Sequence, residues 1–376
     1  MFSLQIDTAR SWRGGQNQVL LTTRGLCARG HRVAVVAHPD GELRRRLGDE
    51  VPVVPLAPRN EVDLPAAWRL SRVIKDLQPD VVHAHDPHGV AVAATALSIA
   101  SPPRKPVLIA ARRVDFHLKT NSFSKWKYRQ VDRFITASNA IRAMLLEDGI
   151  APERVVTVHE GVDVDRIRAV EPLNLREEYW FPPHSLIVGN IAALVPHKGQ
   201  KYLVEAAALV TAAMPEARFV ILGDGELRSA LEQQIKQAHL GQHVILGGFR
   251  MDVLALLKGL DLFVMSSVTE GLGTSLLDAM AAGRAIVGTT AGGIPEVVAH
   301  GETGLLVPPR DGRAMADAIL TLLRDQPRRH QMAQAGFVRV REQFSVERMV
   351  DATIAIYERL ADTSRATDTA RRETAD

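Results

Sequence analysis

Short runs rich in Val and Ile alternate with longer helical stretches along nearly the whole chain, and this alternation constrains the fold more than any other feature. A strand followed by a crossing helix feeds a parallel sheet, with helices covering both faces. In the first half the strands are read in SLQID, HRVAVVA, DVVHAH, PVLIAAR, RFITAS and RVVTVHEG. In the second they are read in LIVGNIAAL, ARFVILGDG, HVILGGF, LDLFVMSS, RAIVGTT and TGLLVPP. The expected fold class is α/β, with two Rossmann-like, doubly wound domains facing each other across a cleft. The 376 residues are enough for two separate cores.

The expected boundaries are 1–175 for the first domain and 185–345 for the second. Between them EPLNLREEYWFPPHS has a proline pair and no clear period. A helix at 346–361 could pack back on the first domain. The tail 362–376 has no apolar stripe and is expected to be disordered. GVAVAATALSIA, residues 89–100, is too short to span a bilayer and reads as a buried helix. The N-terminus has no basic segment leading into an apolar core, so a cytoplasmic location is expected. The one cysteine, Cys27, has no internal partner and reads as a small buried helix residue.

The net charge is +3, with the basic excess in the first half. There RRVDFHLKTNSFSKWKYRQVDR, residues 112–133, mixes Lys119, Lys125, Lys127 and Arg129 with Phe123, Trp126 and Tyr128. Such a mixture suits the headgroups of an anionic membrane or an anionic acceptor, and equally a solvated helix face with aromatic anchors. Arg44, Arg45 and Arg46 read as a solvated basic face. No nucleic-acid partner is expected.

Glycines mark the loops where open parallel sheets bind ligands: Gly14 and Gly15, Gly223 and Gly225, Gly247 and Gly248, Gly271 and Gly273, Gly292 and Gly293. Several such loops in two sheets favour a phosphorylated ligand. In LVPHKGQKYLVEAA, Lys198 stands between a strand and a helix, where an ammonium can meet diphosphate oxygens. In EGLGTSLLDAM, Glu270 can accept hydrogen bonds from sugar hydroxyls, and Asp278 can chelate the two hydroxyls of a ribose. His83, His85 and His88 cluster around Asp86, but no carboxylate–histidine signature completes a metal site, and none is expected.

Together the Gly14–Gly15 loop, GVD at 161–163, KG at 198–199, the two acids eight positions apart at Glu270 and Asp278, and GGIPEVVAHGETGLLVPP from Gly292 to Pro309 closely resemble the family-four retaining glycosyltransferases. These group 1 glycosyl transferases have the GT-B fold. The resemblance covers the chain to about residue 361. It implies transfer of a sugar from a nucleotide diphosphate sugar, UDP or GDP, to an acceptor hydroxyl with retention and without a cofactor or bound metal. The expected products are lipopolysaccharide, glycolipid or polysaccharide, with a lipid-linked or saccharide acceptor at the inner face of a membrane. Lys198 would steady the leaving diphosphate, Glu270 the donor sugar and Asp278 the ribose. The backbone N–H groups of Gly271, Leu272, Gly273 and Thr274, and of Gly14 and Gly15, would face phosphates and sugar, with Gly223 in a neighbouring donor loop.

Three positions depart from the family pattern. Asp278 replaces the usual Glu. Ala193 replaces an Arg five residues before the lysine, so Arg250 or an arginine of the first half is expected to compensate. Arg112 and Arg113 stand where many relatives have a histidine; there Arg112 and Asp115 are the candidates for the reaction, and His85, Arg113 and His117 for the acceptor. A guanidinium holds an anion but cannot act as a base. Glu160 occupies a position where relatives often have Asn, and Asp163 reads as a helix cap. The alternatives are a nucleotide-sugar epimerase of the same architecture and a non-catalytic sugar-nucleotide or glycan binding protein. A dehydrogenase is disfavoured because GDGELR lacks the third glycine of a dinucleotide fingerprint.

Overall fold

The computed structural model describes residues 1–100, 102 and 104–373, with side chains to residue 363. The chain forms two units, Met1–Gly161 with Val346–Asp376, and Val162–Ser345. In the first unit, among the described residues, the strands are β1 (Phe2–Asp7), β2 (Arg32–Ala37), β3 (Val53–Pro55), β4 (Val81–Ala84), β5 (Val107–Arg112), β6 (Arg133–Thr136) and β7 (Val155–Thr157). They pair in parallel in the order β3-β2-β1-β4-β5-β6-β7. The order reverses at the β1–β4 junction, where the loops leaving two neighbouring strands diverge and a crevice opens at their carboxyl ends.

Every residue of β1 is buried, as expected of a strand covered on both faces. Its interior nevertheless holds two polar residues, Ser3 and Gln5. The strand pattern named every strand of this sheet except β3, a three-residue edge strand too short to carry a period. The helix Pro87–Ala100 is buried along most of its length, as its uniform Ala and Val content requires. No described helix is long and apolar enough to cross a membrane.

The final helix, Val346–Glu373, belongs to the first unit. Val350 and Tyr357 join the core formed with the first helix, Gly14–Ala28, and with one face of the sheet. A side chain at Gly25 would collide with Val350, so glycine allows the close approach of the two helices. The helix continues beyond residue 361 to Glu373, where a disordered tail was expected. Its buried stripe ends near Ala361, but extending a formed helix adds one hydrogen bond per residue fixed and needs no apolar face. Residues 374–376 of the expected tail lie outside the described residues. Cys27 corrects another expectation: it is exposed, because the buried face of its helix ends with Leu26.

In the second unit the described strands are β8 (Leu186–Ile191), β9 (Ala217–Leu222), β10 (Val244–Gly248), β11 (Leu262–Met265), β12 (Ile286–Thr289) and β13 (Gly304–Val307). Their order is β10-β9-β8-β11-β12-β13, again parallel, with the reversal between β8 and β11. Phe219, Val264, Val287, Met315 and Ile319 are among the residues of its core. Lys198 follows β8 and Glu270 follows β11, so both leave the sheet beside the reversal.

Candidate active site

After β8 the chain makes a short 3-10 turn, Pro196–Lys198, and enters the helix Gln200–Ala213 through Gly199. Gly199 has φ +65°, and a side chain there would run into the carbonyl of Ser266. Glycine thus lets the Lys198 loop lie against the loop after β11. Val268 N–H donates to the carbonyl of His197 at 2.7 Å, and Ser266 Oγ donates to that of Lys198 at 2.9 Å. So laced, the two loops bring Lys198 Nζ to 2.8 and 2.7 Å from the two carboxylate oxygens of Glu270. Ser267 Oγ donates a further bond to Glu270 at 2.8 Å.

The backbone of Glu270 is fixed from the other side. Gly293 N–H donates to the Glu270 carbonyl at 3.1 Å. Gly292, at φ +50°, packs so closely on that carbonyl that no side chain fits. The second glycine loop therefore supports the acidic residue, a role its sequence does not distinguish from phosphate binding. Gly271 and Leu272 are buried, and Gly273 at φ +92° starts the helix Thr274–Ala281. Asp278 sits on that helix with its carboxyl largely withdrawn from water, and no described residue hydrogen-bonds to it. Burial pushes its pKa up to about 7, against a smaller opposing pull from Arg166. A withdrawn carboxyl with free acceptor capacity is suited to vicinal hydroxyls. Asp163 caps its helix as expected, accepting from Arg166 N–H at 2.9 Å.

In the first unit the elements around the β1–β4 reversal converge on Arg113. Its Nε lies 3.0 Å from Glu160 Oε1, and its Nη1 2.9 Å from His85 Nδ1. Its Cδ stands 3.8 Å from where a Cβ on Gly15 would be, which places the guanidinium stem beside the Gly14–Gly15 loop. Asp7, at the end of β1, accepts from Gln16 Nε2 at 3.0 Å and from Ala9 N–H at 3.0 Å. Burial first, then the nearby Asp86, raise its pKa to about 6, while Gln16, Ala9 and Arg113 hold it lower. Asp86 ties the same loop down, accepting from Thr8 N–H at 2.7 Å and from Gly89 N–H at 2.9 Å. Sequence reasoning passed over Asp7, although its place at a strand's carboxyl end was a usable signal. It also passed over Gln18, whose amide makes two bonds with the Gly161 backbone, and Ser267.

The other candidates are not gathered with these. Arg112 is the last residue of β5 and Arg113 the first beyond it, and the two side chains take different partners. Arg112 Nη2 donates to the Phe116 carbonyl, and burial lowers its pKa against the pull of Tyr128, Asp148 and Asp115. His117 Nδ1 lies 2.6 Å from Asp148 and is mostly exposed. Arg112 and His117 thus take partners, Phe116 and Asp148, that Arg113 does not share. His85 is buried and engaged through both ring nitrogens, so it supports Arg113 instead of presenting itself to a ligand. Arg250, expected to replace the missing cation at Ala193, is held by Glu178 and Asp252 at 2.7 Å each, and these bonds raise its pKa further. Gly223, at φ +136°, packs on the Ala192 carbonyl. Among the described residues no group of His, Cys, Asp and Glu side chains is disposed to hold a metal ion.

The stretch 112–133 also turns out differently from the membrane-facing reading. Lys127 is buried and paired with Glu61, and Trp126 and Tyr128 pack against the core. On the short helix Ser122–Arg129 the buried residues are Ser124 and Lys127, three apart and so on one side. The exposed apolar residues of this region are Val114 and Phe116, along with Val62, Leu64 and Trp68 from the stretch that Lys119 reaches through Glu61.

Comparisons with known proteins agree with this architecture. The sequence model of group 1 glycosyl transferases matches residues 174–339, and that of glycosyltransferase family 4 matches residues 12–166. EpsD of Bacillus subtilis (strain 168), assigned as a glycosyltransferase, is 30% identical over 340 residues, spanning 86% of this chain and 88% of its own. A GDP-mannose-dependent alpha-(1-6)-phosphatidylinositol monomannoside mannosyltransferase of Mycobacterium tuberculosis (strain ATCC 25618 / H37Rv) is 35% identical over 222 residues, 56% of each chain. Among solved structures, Anabaena Alr3699/HepE in complex with UDP and glucose superposes with a TM-score of 0.84 at 22% identity, covering 95% of this chain and 99% of that one.

Proposed function

Because the chain belongs to glycosyltransferase family 4, we propose that it transfers a sugar from a nucleotide diphosphate sugar, with retention and without a metal, to a lipid-linked or saccharide acceptor. The observation that carries this reading is the junction of Lys198, Glu270 and Ser267 at the reversal of the second sheet, with the largely withdrawn carboxyl of Asp278 on the helix that follows. Lys198 supplies the positive charge that the leaving diphosphate gains most from as its bond to the anomeric carbon breaks. Glu270 holds the sugar hydroxyls, and Asp278 the ribose. The bonding electrons go to the diphosphate oxygen, the acceptor oxygen bonds to the same face of the anomeric carbon, and its proton passes to the departing phosphate.

Arg113 is the acceptor-side cation in this reading, held at the β1–β4 reversal by Glu160 and His85. The GDP-mannose donor and phosphatidylinositol mannoside acceptor of the mycobacterial relative, and the UDP and glucose bound in the Anabaena structure, support a GDP or UDP donor and a lipid-borne acceptor. Val62, Leu64, Trp68 and Phe116 are exposed, with Arg59, Arg69, Arg72 and Lys119 exposed in the same two stretches and Arg72 over the Trp68 ring; this apolar and basic set suits anionic headgroups, which supports peripheral membrane association.

Calorimetric titration with UDP, GDP, ADP and CMP, each with and without magnesium, tests the donor half. One diphosphate should bind selectively without magnesium, and its affinity should fall in Lys198→Ala. Binding that requires magnesium would overturn the metal-free mechanism. No binding of any of the four would overturn the donor site itself.

A further inference from the structure

The polar residues inside β1 have a partner from the far end of the chain. Tyr357, on the final helix, is fully buried and lies 2.5 Å from His83 Nδ1. Gln5 Nε2 donates to Tyr357 Oη at 3.3 Å and to Ser3 Oγ at 3.0 Å. Gln5 Oε1 then lies 2.8 Å from His85 Nε2, and His85 Nδ1 meets Arg113 Nη1 at 2.9 Å. Burial, reinforced by the positive charge of Arg113, holds both histidines well below their ordinary pKa, so both rings are neutral.

The contacts of Arg113 and Gln5 allow one tautomer of His85. Arg113 can only donate, so His85 accepts at Nδ1 and carries its proton on Nε2. That proton goes to Gln5 Oε1, which turns the Gln5 amide nitrogen toward Tyr357 and Ser3. Tyr357 Oη accepts from Gln5 Nε2 and lies within reach of both His83 Nδ1 and, at 3.5 Å, Gln5 Oε1, to either of which its own proton can go. If the Gln5 amide flipped, its nitrogen would face His85 Nε2. The ring would then have to carry its proton on Nδ1, pointing a donor at the Arg113 guanidinium.

We propose that Tyr357 is a positioning residue: together with Ser3 it holds the Gln5 amide with its oxygen toward His85 Nε2–H, and so backs the tautomer through which His85 holds Arg113 at the β1–β4 reversal. Seating of the final helix is thereby linked to the placement of the acceptor-side cation. The inference rests on the reading of Arg113 as an acceptor contact, but the tautomer lock is testable without it.

The experiment uses the full chain with ¹⁵N-labelled histidine. In wild type the ring nitrogens of His85 should report a single Nε2–H tautomer. Tyr357→Phe keeps the ring and removes only the hydroxyl; it should fold and show a mixture of tautomers. Gln5→Met, which removes the amide altogether, should do the same and serves if the first variant is poorly folded. With the donor nucleotide sugar and acceptor identified in a transfer screen, Tyr357→Phe should raise the acceptor KM by about tenfold with little change in donor KM, an effect absent in an Arg113→Lys background. An unchanged His85 spectrum in both variants overturns the proposal. A changed spectrum with transfer indifferent to Arg113→Lys overturns the acceptor role of Arg113 and, with it, the functional part of the inference.

Discussion

Glu270 is held at both ends, by Lys198 and Ser267 on its carboxylate and by Gly292 and Gly293 at its carbonyl. Glu270→Ala should therefore lower kcat/KM for transfer by about a hundredfold or more while the chain still folds, as steady-state assays and circular dichroism would show. Full retained activity would remove Glu270 from the site. Asp278 makes a different prediction. Its folded pKa of about 7 lies above the ordinary 3.8, so the unfolded chain gives up this proton first as pH rises. The associated stability is complete below about pH 3.8 and is lost as pH passes through 7. Asp7, at about 6, adds a drift of the same sign at lower pH. Asp278→Asn removes its own share, so its melting temperature should gain on that of wild type between pH 5 and 8. A difference that stays constant with pH would contradict the raised pKa.

At the scale of elements, the loops after β8, β11 and β12 form one laced unit, with glycines where backbones touch. Gly292→Ala puts a methyl against the Glu270 carbonyl at a left-handed φ, so it should cost about 1–3 kcal/mol in denaturant unfolding and depress transfer more than it depresses stability. Wild-type kinetics in that variant would mean the second glycine loop does not govern Glu270. This lacing also marks the limit of what the sequence conveys. The strands and the glycine loops were legible, because parallel sheets write their strands as apolar runs and their loops as glycine, whereas the bonds of Lys198 to Glu270 join residues 72 positions apart and were not. Which arginine of the Arg112–Arg113 pair faces the crevice was not legible, since strand pairing decides it. The inward turn of Lys127 and Trp126, and the bonds of Arg250 to Glu178 and Asp252, likewise depend on residues distant in sequence. β3 was invisible because three residues carry no period.

For the whole molecule, the exposed apolar and basic surface of the first unit predicts binding to a bilayer. Wild type should co-sediment with vesicles containing phosphatidylglycerol and much less with pure phosphatidylcholine, and added salt should weaken the association. Trp68→Ser with Leu64→Ser should reduce it without altering the melting temperature, because both side chains are exposed. Equal sedimentation of wild type and the double variant would exclude this surface. The chain crosses from the first unit to the second after Gly161 and returns at Val346, and Val162 and Ser345, on the second unit's side of the two crossings, form a bridge with each other. Translation delivers Val350 and Tyr357 after every strand of both sheets, so a chain that stops before them leaves the face of the first helix uncovered and takes from Gln5 one of its partners. Synthesis through the final helix thus becomes a checkpoint: products truncated before Val350 should be open to proteases, while chains that carry Tyr357 have the full set of contacts behind His85 and Arg113.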